Sequence, residues 1–86
     1  MLKLQYAPAF FKQFKKLEPS LKEKALKSVE LFKDKKHHRR LGVHKLKGVM
    51  RGRFSFSVDF HHRIVFIWVS DGEAALLAIG NHDIYQ

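Results

Sequence analysis

The sequence contains no cysteine. That excludes disulfides and thiolate zinc sites and suits a reducing cytosol. Acid is scarce: eight Asp and Glu stand against seventeen Lys and Arg, a formal net charge of +9. An excess of that size points to polyanionic partners such as RNA, DNA, an anionic membrane or an acidic protein. Simple solubility needs far less charge on a small domain. Long hydrophobic runs are missing too. The run Ile64 to Val69 falls well short of the roughly 20 apolar residues of a membrane helix. The first stretch, MLKLQYAPAFFKQF, is not a signal peptide, because Lys3, Gln5 and Lys12 interrupt its apolar residues. A soluble, cytoplasmic protein with no membrane partner is expected. There is no repeat, low-complexity segment or linker, so residues 1–86 read as a single domain with a modest core.

What the chain does have is eight Phe and a strong alternation in its second half. Phe54, Phe56, Val58 and Phe60 alternate with Arg53, Ser55, Ser57 and Asp59. A period of two predicts a strand with the aromatic set buried and the polar set wet. Ile64 to Val69 is apolar throughout, the pattern of a central strand covered on both faces. Ser70-Asp71-Gly72 signals a hairpin, and Glu73 to Gly80 supplies the last strand. Val43 to Gly48 reads as a short strand before them. Upstream, Leu2, Leu4 and Tyr6 alternate with Lys3 and Gln5, predicting an N-terminal strand. Pro8 suits the first turn of a helix, where its missing N–H costs nothing. Phe10, Phe11, Phe14 and Leu17 then form one apolar stripe. A second helix is expected from about Pro19 to Lys35, with Leu21, Ala25, Val29 and Phe32 on one face and Leu26 beside them. The prediction is an α+β fold of two layers: an N-terminal strand, a helix hairpin, then a four-strand antiparallel meander.

No carboxylate pair, metal motif, Gly-rich phosphate loop or Ser-His-Asp order stands out, and neither metal nor cofactor is expected. The run Lys35-Lys36-His37-His38-Arg39-Arg40 either complements a helix C-terminus or tracks phosphates. Its adjacent histidines lack an acidic partner and the geometry of a metal site. What remains is His, Arg, Lys and Tyr around a sheet. Those types suit RNA cleavage by its own 2′-OH, which needs a base for that proton, a cation for the phosphorane and an acid for the departing oxygen. Histidine serves as base or acid near neutral pH. Arginine matches phosphorane oxygens with a planar fork.

The strings HKLKG (44–48), GRFSFSV (52–58), HRIVF (62–66) and GNHDIY (80–85) follow one another in this order. Together they resemble the RelE/ParE superfamily of bacterial type II toxins, closest to its mRNA interferase branch of RelE, YoeB and YafQ. The resemblance covers nearly the whole chain and implies a RelE-like fold. It implies a toxin that arrests translation as a metal-independent endoribonuclease, cutting mRNA in the 70S ribosome A site by 2′-OH attack. It carries catalytic roles onto His44, Arg63, His82 and Tyr85, with His44 and His82 as base and acid in either order. Lys45, Lys47, Arg51 and Arg53 would bind RNA, and the corner residues His61 and His62 either join them or are merely solvated. Asp59 and Asp83 would orient neighbours, either one pairing with Arg63. A cognate antitoxin, acidic and partly disordered, is the implied partner in a hetero-oligomer. The ParE branch shares the fold but inhibits DNA gyrase without cutting RNA; His44 and His82 together favour the nuclease. A degenerate toxin that only binds antitoxin is the third reading.

Overall fold

The computed structural model describes residues 1–81, apart from the side chain of Val49. Five strands form one mixed sheet: β1 Lys3–Tyr6, β2 His44–Lys45, β3 Phe54–Ser57, β4 His62–Ser70 and β5 Glu73–Asn81. Their spatial order is β1-β5-β4-β3-β2. The four later strands make the expected antiparallel meander, and β1 lies parallel to β5 at its outer edge. Two helices, α1 Pro8–Lys15 and α2 Pro19–Phe32, connect β1 to the rest. Each has a proline in its first turn, as the sequence predicts. No helix among the described residues is long and apolar enough to cross a membrane.

The unbroken apolar run does become the central strand. Ile64, Val65 and Phe66 are all buried, so β4 is covered on both faces. The core between sheet and helices centres on Phe32, the last residue of α2, which has no exposure. Its ring stacks on Phe56 at 4.3 Å between centroids and on His38 at 4.7 Å, both nearly parallel. Phe66 meets it edge-on at 4.6 Å. Such pairs contribute roughly 0.5–1.5 kcal/mol each beyond the area they bury.

His38 also closes the helix. Its Nε2 lies 2.7 Å from the carbonyl oxygen of Phe32. A carbonyl only accepts, so Nε2–H donates and satisfies one of the carbonyls that a helix end leaves unpaired. The basic run therefore contains a structural histidine, held between core ring and helix terminus. The second helix stops three residues before its expected end. Asp34 leaves the helical conformation, and its carboxylate accepts the Lys36 N–H at 3.2 Å, starting a short 3-10 turn at Lys35–His37.

Three further expectations change in the fold. The aromatic strand ends at Ser57, not Phe60, because the Asp59 carboxylate captures the N–H groups of His61 and His62 at 2.9 and 2.8 Å. That local bond turns the chain before the alternation is complete, and Phe60 stands 90% exposed. Ser55, expected on a wet face, has no exposure at all. Phe11 sits at the edge of the helix layer, half exposed, while Phe10 is buried.

Candidate active site

The site begins with a glycine. Leu41 is buried and its carbonyl accepts the Ser57 N–H at 2.8 Å, which ties this loop to β3. Gly42 then takes φ +67°, a left-handed conformation that costs glycine least. The turn aims the Gly42 carbonyl at two side chains. It accepts from Arg63 Nη2 at 2.8 Å and from His44 Nδ1 at 2.9 Å.

Parity brings those two residues to one face of the sheet. His44 pairs with Ser55, and Arg63 pairs with Ser57, two residues further along β3. Arg63 is half-buried, and its Nε donates to Ser55 Oγ at 3.0 Å. Its guanidinium is thus pinned from two directions, by a buried hydroxyl and by a backbone carbonyl. Arg63 Nη2 stands 3.4 Å from His44 Nδ1.

The same carbonyl sets the histidine's tautomer. Because Gly42 O can only accept, Nδ1 of His44 carries the hydrogen. In the neutral ring Nε2 is then the proton acceptor, on a residue that is exposed. A fixed cation and an oriented proton acceptor thus lie side by side. That arrangement can hold a phosphate and take a proton from a hydroxyl next to it.

Lys45, Lys47, Arg51 and Arg53 are all exposed along the β2–β3 connection, beside this pair. None of them forms an ion pair among the described residues. They make a cationic margin suited to a nucleic-acid backbone.

The corner residues separate. His62 lies opposite Val58, on the face that packs toward the helices, and its Nδ1 pairs with Asp59 Oδ1 at 2.9 Å. It is not brought to His44 and Arg63. His61 is exposed at the corner itself. Asp59 is committed to His62 rather than to Arg63. Desolvation of its carboxyl is outweighed by hydrogen bonds from the His62 ring and from the N–H groups of His61 and His62, which hold its pKa below the ordinary value. His82, Asp83 and Tyr85 lie outside the described residues. Among the described residues no group of three or more His, Asp or Glu could hold a metal ion.

Sequence reasoning did not single out Gly42 and Ser55. Gly42 carries a weak signal, a glycine just before a strand. Ser55 carries none, because it looks like any outward residue of an alternating strand.

The fold has counterparts among solved structures. A conserved hypothetical protein from Helicobacter pylori superposes with a TM-score of 0.74, at 25% identity over 96% of this chain and 97% of that one. In the YoeB–YefM complex from Staphylococcus aureus the corresponding values are 0.72, 19%, 95% and 98%. For YafQ from E. coli they are 0.69, 15%, 98% and 97%. The chain has the fold of the RelE, YoeB and YafQ toxins. No family model and no curated protein matches it. In this RelE-like fold the His44–Arg63 pair stands on the sheet face turned away from the helix hairpin, at the end of the meander where β2, β3 and β4 run together.

Proposed function

We propose that this chain is the toxin of a type II toxin–antitoxin pair and that it cuts mRNA in the ribosomal A site. The observation that carries this reading is the Gly42 carbonyl that orients both His44 and Arg63. His44 Nε2 takes the proton of the 2′-OH as its oxygen attacks the adjacent phosphorus. Arg63 donates N–H bonds to the non-bridging oxygens as charge builds on the phosphorane. The P–O5′ bond breaks, and His82 delivers a proton to the departing 5′ oxygen, with Tyr85 as a stacking or proton-relay group. The products are a 2′,3′-cyclic phosphate and a 5′-OH, and no metal takes part. Lys45, Lys47, Arg51 and Arg53 hold the RNA backbone, and His61 extends that margin.

The partner in this reading is a small acidic antitoxin, partly disordered until it binds. The charge of +9 supports it, since opposite potentials speed encounter. The similar YoeB of S. aureus is itself solved as a complex with YefM.

The test is primer extension on programmed ribosomes, with free mRNA beside them, for the wild type, His44→Ala, Arg63→Lys and His82→Ala. Cuts at the A-site codon should appear with the wild type. They should fall by about 10²–10⁴-fold when a proton-transfer group is removed. Arg63→Lys should also be impaired, because one ammonium cannot span Ser55 and Gly42 while facing phosphate. Growth arrest with intact mRNA would overturn the nuclease reading and favour inhibition of another target, such as DNA gyrase.

A further inference from the structure

The β3–β4 corner presents a ring that the fold does not use. Phe60 is 90% exposed, and its one aromatic neighbour among the described residues is His61, edge-on at 5.3 Å. Leaving a phenyl ring in water forgoes the stabilisation that its burial would give. A floppy loop would tolerate that by chance, but this corner is tightly held. Asp59 Oδ1 accepts from the His61 N–H, the His62 N–H and the His62 ring. Ser57 Oγ donates to the Asp59 carbonyl at 3.0 Å, and Val58 N–H donates to the His62 carbonyl at 2.9 Å. The tip is therefore pre-organised, and a partner that meets Phe60 does not have to order the backbone behind it.

Location and surroundings narrow the partner. The corner rises from the Ser57–Arg63 pair, and Ser57 is bonded to Leu41, the residue before Gly42. Phe60 thus lies on the turn that joins β3 to β4, three residues before Arg63. It is also a lone ring, flanked by Asp59 and His61, not part of a broad apolar patch of the kind proteins use to dock. Asp59, the one acid in the corner, is occupied by its three hydrogen bonds. A flat apolar face beside cations is what an unpaired nucleobase meets in single-strand binding, where rings stack and cations track phosphates.

We propose that Phe60 is a base-stacking residue: its ring takes the face of an unpaired nucleobase next to the phosphate held at Arg63, with His61 bordering the same base. This inference rests on the RNA reading of the site and assigns the contact that grips the substrate's base.

The test uses the full chain and mRNA blocked by 2′-O-methylation at the A-site codon, with 2-aminopurine placed base by base around it. Binding and fluorescence quenching are read on programmed ribosomes and on the free strand. Phe60→Ala and Phe60→Leu should bind about five- to a hundredfold more weakly, the range expected for loss of one stacked base. Phe60→Trp should bind as tightly as the wild type. All three should keep the wild-type Tm, because the ring is 90% exposed and its one ring contact among the described residues is His61. Leucine restoring full affinity would mean a merely apolar contact and would overturn the proposal. So would wild-type affinity for Phe60→Ala, or no RNA binding by the wild type in either setting. Cleavage by unblocked wild type is scored separately. Phe60-dependent binding without cutting would sink the nuclease reading alone, and equal cutting and binding by Phe60→Ala would sink stacking alone.

Discussion

Replacing Gly42 by alanine tests whether the site's geometry depends on backbone conformation or on space. A Cβ built on Gly42 would lie 3.7 Å from Arg63 Nη2 and 4.0 Å from Nη1, ordinary van der Waals contact. No clash displaces the guanidinium. The cost is conformational. At φ +67° an L side chain loses about 1–2 kcal/mol relative to its preferred regions. The substitution also stiffens the unfolded chain, which offsets about 0.4–1 kcal/mol. The net loss is therefore about 1 kcal/mol, a fall in Tm of roughly 4–8 °C for a domain of this size. Asparagine tolerates the left-handed region better and should lose less than alanine. Thermal unfolding followed by circular dichroism gives the order wild type, Gly42→Asn, Gly42→Ala. Below its Tm the alanine variant should cut RNA within a few-fold of the wild type, because the carbonyl still holds His44 and Arg63. Equal stability of the alanine variant, or asparagine below alanine, would refute the strain argument. A loss of about 4 kcal/mol, beyond any left-handed penalty, would show that Arg63 is pushed out of place.

Two other outcomes follow from the same geometry. The Asp59 carboxyl has its folded pKa below the unfolded value of 3.8, so its stabilisation is complete above that value and disappears as pH falls through the folded one. The stability gap between the wild type and Asp59→Asn, measured by urea unfolding, should be constant near neutrality and shrink below about pH 4; a gap unchanged down to pH 2.5 would contradict the assigned bonds. Phe32→Ala should cost about 3–5 kcal/mol, since a ring with no exposure leaves a cavity among Phe56, Phe66 and His38. A loss under about 1 kcal/mol in denaturant unfolding would mean that this stack is not the centre of the core.

The corner at Asp59 illustrates how local chemistry can defeat a periodic signal. Four aromatic or apolar residues at a spacing of two predict one continuous strand through Phe60. The strand breaks after Ser57 because Asp59 offers the backbone a competing acceptor that takes two N–H groups and is held in place by the His62 ring. Phe60 then changes from core residue to exposed ring without any change in the pattern. The same competition at Asp34 ends α2 early. His38 moves the other way, from a basic run into the wall of the core.

Composition and periodicity by themselves determined the absence of disulfides, the cationic surface, both helix starts, the central strand and the antiparallel meander. Those properties depend on residue type and on neighbours close in the chain, so they are written locally. The pairing of His44 with Arg63 through Gly42, the burial of Ser55, the choice of His62 over Arg63 by Asp59 and the parallel docking of β1 on β5 were decided only in three dimensions. Each joins residues separated in sequence, or depends on which surface a neighbouring element covers. Periodicity tells which side of a strand a residue occupies, but not what lies against that side.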